Sequence, residues 1–361
     1  MLPLLASAVM RIAQIAPLYE SVPPQAYGGT ERVVAYLTDA LVEAGHDVTL
    51  YASGDSVTRA RLVAACPRAL RLDPGRPEPS SCQALQLEQV ADDAANYDIL
   101  HFHNEPLHFS LGRRLGWPSI HTLHSRSDVP ELAALLRQLP GAPLVSISDA
   151  QRRPLPWANW QATIYHGLPP DLFRFQGVPD HEPYCLFLGR ISPEKQVHHA
   201  VEIARLAGMP LKIAAKIDLQ DRAYYENVAR PLLTAPGVEY LGEIGGADKE
   251  ALLRHARALL FPVNWPEPFG LVMIEALACG TPVIAYPHGS VREVITDGVT
   301  GFIVDGVAAA VSALARIDEI DRKRCRAVFD ERFTVKAMTR DYLRLFGRVV
   351  TQDFEPAMGC V

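Results

Sequence analysis

Short apolar runs and segments of helical period alternate along nearly the whole chain. Arg11 to Ala16 is a strand-like run. Glu31 to Ala44 sets Val33, Val34, Leu37 and Leu41 on one helical face, and Gly45 closes it. Asp47 to Ala52 is the next apolar run. Strand, loop carrying Gly28-Gly29-Thr30, helix and strand make a βαβ opening, which implies a parallel sheet. Residues 54–83, rich in Arg, Pro and Ser, read as a long surface connection, and Leu85 to Asn96 returns to helix. Strands follow at Asp98 to His103, Ser119 to His124, Leu144 to Ser148 and Ala162 to Tyr165, with a helix near Asp149.

Phe175 to Glu182 is polar and bears Pro and Gly, the composition of a linker. Beyond it the alternation starts again. Strands are predicted at Tyr184 to Leu188, Leu211 to Ala215, Val238 to Leu241, Leu259 to Pro262 and Val283 to Tyr286, and a short one lies within 287–304. Helices are predicted at Gln196 to Ala207, Asp221 to Leu233, Ala247 to Arg257, Phe269 to Ala278, Val307 to Ala315, Arg322 to Glu331 and Val335 to Val350. The pattern predicts two doubly wound α/β domains, 10–177 and 178–334, followed by an amphipathic helix at 335–350.

A length of 361 residues agrees with two domains. The net charge of −6 argues against nucleic acid as a partner. Cys66, Cys82, Cys185, Cys279, Cys325 and Cys360 are scattered without a C-x-x-C pair, which fits reduced thiols in a cytoplasmic protein. The apolar start lacks a basic segment and is too short to span a bilayer; Met10 reads as the functional start. No other apolar run is long enough for a membrane helix. Arg113-Arg114 with Trp117, and Arg152-Arg153 with Trp157, could meet a membrane or an anionic acceptor, but solvated helix ends beside a packed Trp are the favoured reading.

The candidate chemistry gathers in a few places. In Asn264-Trp-Pro-Glu267-Pro-Phe-Gly-Leu-Val-Met-Ile-Glu275, prolines bracket Glu267 and hold it on an extended loop. Glu275 falls inside the helix that follows, where it can accept hydrogen bonds from a vicinal diol. The N–H groups of Phe269, Gly270 and Leu271 would point from a positive helix end toward phosphate or hydroxyl oxygens. Gly189-Arg190-x4-Lys195 lies at a strand-to-helix turn, and Lys195 is the first lysine in the chain. A planar guanidinium and a mobile ammonium together suit a diphosphate. In the first half, His103, His124 and Ser148 stand at strand ends, with Asn104 and Glu105 beside them, where open parallel sheets bind ligands. Gly28-Gly29 allows close backbone approach but lacks the G-x-G-x-x-G spacing. The histidines lack His-x-x-x-His spacing and a cysteine partner, so no metal site is predicted.

Taken in order, these pieces resemble the family 4 retaining glycosyltransferases of the GT-B fold over nearly the whole chain. The resemblance rests on Gly28-Gly29, the strand ending at His124, Gly189-Arg190…Lys195, Leu241-Gly242-Glu243, Glu267-x7-Glu275 and Gly280-Thr-Pro-Val. It implies two Rossmann-like domains facing across a cleft, an acceptor-side domain first and a donor domain second. It also implies that the helix at 335–350 packs back on the first. Arg190 and Lys195 would then hold the diphosphate of a nucleotide-sugar donor, and Glu275 its ribose. Glu267, with the backbone of Phe269, Gly270 and Leu271, would hold the donor sugar. Gly28 and Gly29 would approach the donor from the first domain, and His124 would sit near the transferred sugar. Lys216, Gly242 and Glu243 fall where the family contacts the nucleobase, although Ala214-Ala215-Lys216 replaces the family's glycine-rich turn.

The resemblance implies transfer of a hexosyl group to an acceptor hydroxyl with retention, and no cofactor. No Asp-x-Asp stands at a strand end in a sugar-binding context, so a metal is expected to be dispensable. UDP is the first expectation for the nucleotide and GDP the second; the acceptor and the hexose are not readable. Two other readings stay open: another GT-B enzyme, such as an epimerase or phosphorylase, and a nucleotide-sugar binding module without transfer.

Overall fold

The computed structural model describes residues 9–25, 28–75, 77–104, 106–179 and 182–351. The start before Val9, Tyr27, Glu105, residues 180–181 of the predicted linker and the tail from 352, with Cys360, lie outside the described residues.

Packing divides the chain into two compact units. One holds the chain up to Ile147, Pro154–Ile164 and the part from Val335 onward; the other holds Ser148–Arg153 and Tyr165–Thr334. Each is built on one parallel sheet. The first sheet has β1 (Arg11–Ile15), β2 (Asp47–Ala52), β3 (Arg61–Ala64), β4 (Ile99–Phe102), β5 (Ser119–Thr122), β6 (Leu144–Ser146) and β7 (Trp160–Thr163) in the order β3-β2-β1-β4-β5-β6-β7. The second has β8 (Cys185–Arg190), β9 (Leu211–Lys216), β10 (Val238–Gly242), β11 (Ala258–Phe261), β12 (Val283–Ala285) and β13 (Gly301–Ile303) in the order β10-β9-β8-β11-β12-β13.

In both sheets the order reverses direction once, between β1 and β4 and between β8 and β11. Such a switch point leaves a crevice at the carboxyl ends of the strands, where ligands bind. The strands carry continuous apolar runs because helices cover the sheets. Cys185, Leu186 and Phe187 of β8 and Leu259 and Leu260 of β11 are all buried. The helix Val335–Thr351 belongs to the first unit, where Tyr342 and Phe346 lie with ring centroids 4.8 and 5.5 Å from that of His101.

Local departures from the sequence reading have physical causes. The stretch 54–83 is not all loop: Arg61–Ala64 adds an edge strand to β2, and Pro79 already opens a helix that Glu78 caps. The predicted helix from Asp221 to Leu233 is present but irregular, running from Arg222 through a widened turn at Tyr225–Ala229 into Arg230–Leu233. Pro231 has no N–H to give and its ring crowds the preceding turn, so a regular helix cannot run through it. The segment read as a linker begins inside the second unit. Gln176 N–H bonds Cys279 O at 3.0 Å, and Phe175 covers Gly280 so closely that an added Cβ would meet its ring at 2.7 Å. No helix among the described residues is long and apolar enough to cross a membrane.

Candidate active site

The second sheet's switch point carries the predicted donor residues. β8 ends at Arg190, and a 3₁₀ turn, Pro193–Lys195, follows it. β11 ends at Phe261 and leads into the loop that holds Glu267. The two loops are tied by a backbone bond, Asn264 N–H to Glu194 O at 2.8 Å.

Glu267 is buried at 8 % exposure, and its backbone is clamped. Its carbonyl accepts Ser290 N–H at 3.0 Å. Gly289, at φ 58°, lies so close that an added Cβ would sit 2.2 Å from that carbonyl oxygen. The next two carbonyls are held by serine hydroxyls, Pro268 O by Ser148 at 2.7 Å and Phe269 O by Ser290 at 2.8 Å. A rigid backbone therefore aims the side chain. Oε2 of Glu267 accepts from both the Lys195 ammonium and the Trp265 indole N–H. Oε1 accepts from no group among the described residues.

Glu275 shows the same division of labour. It is 3 % exposed on the helix Leu271–Cys279, and its Oε1 accepts from Lys249 Nζ at 2.6 Å. Its Oε2 accepts from no group among the described residues. Each carboxylate is thus fixed through one oxygen by a lysine, while the other oxygen keeps its lone pairs.

The helix between them starts later than predicted. Gly270 is its N-cap at φ 75° and ψ 68°, a left-handed conformation, so the helical amides begin at Leu271 and Val272 rather than Phe269. An added Cβ at Gly270 would also meet Met273 at 2.8 Å. The Phe269 side chain is a packing group, buried with its ring 4.9 Å from His166 and 6.2 Å from Phe333.

Arg190 stands among carboxylates. It pairs with Glu194, lies 3.6 Å from Asp218 and 3.2 Å from Asp221. Lys216 lies 3.1 Å from the other oxygen of Asp218. Burial raises the Asp221 carboxyl above its ordinary range, against the pull of Arg190, while Glu194 is lowered despite its burial by backbone and hydroxyl hydrogen bonds and by Arg190. Gly242 ends β10 at φ 73°, at the edge of the sheet, and Glu243 follows it.

In the first unit, Gly28 is the N-cap of the helix Gly29–Glu43; an added Cβ there would meet Pro24 at 2.7 Å. His124 Nε2 lies 2.8 Å from His103 Nδ1, and His103 Nε2 lies 2.8 Å from Gln14 Oε1. The structure thus joins Lys195 to Glu267, links Arg190 to Lys216 through Asp218, and seats His124 on His103. It also adds partners that sequence reasoning did not name: Lys249, Trp265, Asp218, Asp221 and Gln14. Trp265 lies inside the proline-bracketed motif and could have been found there; Lys249 lies 26 positions from Glu275, with no local signal linking them. Among the described residues no group of three or more His, Cys, Asp or Glu side chains is arranged to hold a metal ion.

Two α/β units on parallel sheets, one carrying two buried carboxylates each paired with a lysine, have the build of a doubly wound α/β enzyme. The comparisons with known proteins agree. Residues 27–166 match the model "Glycosyltransferase Family 4" and residues 170–328 match "Glycosyl transferases group 1". The D-inositol 3-phosphate glycosyltransferase of Geodermatophilus obscurus is 30% identical over 322 residues, covering 72% of this chain and 69% of that protein. The chain belongs to this glycosyltransferase family and is a glycosyltransferase. The sucrose-phosphate synthase of Thermosynechococcus elongatus shares the fold with a TM-score of 0.76 at 21% identity, covering 94% of this chain and 99% of that one. Anabaena HepE, solved in complex with UDP and glucose, shares it with a TM-score of 0.71 at 18% identity, covering 94% and 100%. The fold is GT-B.

Proposed function

We propose that the chain is a retaining glycosyltransferase that moves a hexosyl group from a nucleoside-diphosphate sugar to an acceptor hydroxyl and needs no metal ion. The observation that carries this reading is the pair of half-engaged carboxylates. Oε1 of Glu267 and Oε2 of Glu275 face no donor among the described residues, while a lysine fixes the opposite oxygen of each. Such oxygens accept hydroxyl protons without reorganising. Glu267 orients the donor sugar and Glu275 takes the ribose. Arg190, Lys195 and the amides of Leu271 and Val272 face the diphosphate. Lys216, Gly242 and Glu243 are assigned to the base, and Gly28, Gly29 and His124 to further donor contacts, on the strength of the resemblance.

The reaction breaks the bond from the anomeric carbon to the diphosphate oxygen and forms one to the acceptor oxygen on the same face. The acceptor's proton passes to a donor phosphate oxygen. The barrier falls because the charge developing on the leaving diphosphate meets preorganised cations and amides, each such donor supplying about 2.7–4 kcal/mol. Glu267 is an orienting group in this scheme, not a nucleophile. UDP-glucose is the first donor to try, since a fold relative was solved with UDP and glucose. A phosphorylated polyol is the first acceptor to try, given the name of the Geodermatophilus relative. A reducing, cytoplasmic setting is part of the same reading, supported by the unpaired Cys66, Cys82, Cys185, Cys279 and Cys325.

The test is a melting-temperature panel of nucleotide sugars, followed by transfer assays with and without a chelator and by determination of the product's anomeric configuration. One donor is expected to raise the melting temperature. Transfer is expected to survive chelation, retain configuration and fall roughly a hundredfold or more in Glu267→Gln. An inverted product, loss of activity with the chelator, or near-full turnover by Glu267→Gln overturns the mechanism.

A further inference from the structure

Trp265 touches both residues that the proposed donor site uses at its two ends, yet neither the motif nor the resemblance gives it a role. Its indole N–H donates to Oε2 of Glu267. Its ring lies under Lys195, whose Nζ is 4.9 Å from the ring centroid and 5.7 Å from that of Phe261. Its own backbone is constrained. Pro266 restricts it to extended conformations, and its carbonyl accepts Glu267 N–H at 2.7 Å. The preceding residue, Asn264, is bonded to Glu194 O beside Lys195.

We propose that Trp265 is the positioning residue that keeps the hold on the sugar and the hold on the diphosphate separate: its N–H pins Glu267 through Oε2, and its ring face seats Lys195. An ammonium carries three rotatable donors and has no preference between the two oxygens of a carboxylate. Left alone with Glu267, Lys195 can swing across both and occupy Oε1, the oxygen assigned to the sugar. An indole has one N–H in a fixed direction, so it holds the carboxylate in one rotation. The ring face offers Lys195 a second attraction, 4.9 Å from its Nζ. The two functions sit on different parts of one side chain, so they can be removed separately.

This inference rests on the proposed donor site, and the test distinguishes the two. Calorimetry is run with UDP and with UDP-glucose on the wild type, Trp265→Phe and Trp265→Leu; GDP and GDP-mannose replace them if the wild type takes that pair instead. Phe keeps a ring face and loses the N–H. Trp265→Phe is expected to bind UDP within about twofold of wild type and UDP-glucose roughly tenfold more weakly, because a hydrogen bond to a charged group is lost. Trp265→Leu is expected to weaken UDP as well, by about three- to fivefold, through loss of the ring face. Trp265 is the one tryptophan of the second unit. The fluorescence change that accompanies UDP-glucose binding is therefore expected to disappear in Trp265→Phe. Equal weakening of UDP and UDP-glucose in Trp265→Phe, or no weakening of either, overturns the inference while leaving the donor site standing. A wild type that binds neither pair overturns the donor site and this inference with it.

Discussion

A histidine at a strand end is useful only if its ring is held in place, and the first unit holds one. His103 is held at both ring nitrogens, Nε2 against Gln14 Oε1 and Nδ1 against His124 Nε2, each at 2.8 Å. The ring of His124 is thereby anchored through Nε2. The chain of bonds runs from Gln14 inside β1 to His103 just past β4 and His124 just past β5, across the switch point. His103→Ala is expected to lower kcat about tenfold or more while leaving the KM for donor within a few-fold, because it releases the ring of His124 without removing it. His103→Asn, whose amide can stand in for Nδ1, is expected to recover much of the loss. Equal damage from both variants, with unchanged melting, refutes this anchoring. His124 was legible in the sequence because it ends an apolar run. The role of Gln14 was not, since a polar residue inside a strand reads only as an interruption until its neighbour β4 is known.

At the scale of elements, apolar periodicity located most strands and most of the longer helices, because buried parallel strands and amphipathic helices write their burial into the sequence, but the helices His108–Leu115, Pro130–Gln138 and Val291–Val294 went unpredicted. It failed where local rules were overridden. Arg61–Ala64 is an edge strand with exposed ends, and its four residues give too short a signal. The side chains that join elements were the least legible. Arg322 sits in the charge-dense run Arg-Lys-Arg-Cys-Arg, where an exposed arginine is the ordinary expectation. Instead it is 8 % exposed and donates to Gln176 O, Ala256 O, Arg254 O and Thr281 Oγ1 at 2.8–2.9 Å. It thereby caps the end of the helix Gly246–His255, which carries Lys249, and ties it to the exit of the helix Leu271–Cys279, which carries Glu275. Burial lowers its guanidinium below the usual arginine range, but four aimed acceptors keep it in place. Arg322→Met is expected to cost about 3 kcal/mol or more by leaving buried acceptors unpaired. Arg322→Lys recovers only part, since three donors without a planar fork cannot meet four acceptors. Urea unfolding read through Trp265 fluorescence measures both, and a Lys variant as stable as wild type removes the capping argument.

For the whole molecule, the buried histidines and one buried glutamate set opposing responses to acid. In the first unit burial drives His121 down to about 3 and His101 well below its ordinary value of 6.5. An unfolded chain takes up those protons near pH 6.5, so the stability these groups contribute is present above 6.5 and is lost as pH falls toward their folded values. Each costs about 1.4 kcal/mol per pH unit once well below 6.5. Glu31 acts the other way. It lies in the first turn of the helix Gly29–Glu43, and burial raises it from 4.5 to about 7. Its contribution is fully present below 4.5 and is lost as pH rises through about 7. Between 4.5 and 6.5 the buried histidines, His46 among them, therefore pull stability down while the Glu31 carboxyl opposes them. Removing that carboxyl's titration is expected to steepen the acid slope, since the unfolded unit then exceeds the folded one by more bound protons. The comparison is Glu31→Gln against wild type, both with Trp265→Phe, so that the remaining tryptophans, Trp117, Trp157 and Trp160, all report on the first unit. Stability is read by urea unfolding between pH 5 and 6.5 on that fluorescence. A slope that does not steepen in Glu31→Gln means that Glu31 is already ionised in the folded protein over this range, and the balance of buried charges described for the first unit is then wrong.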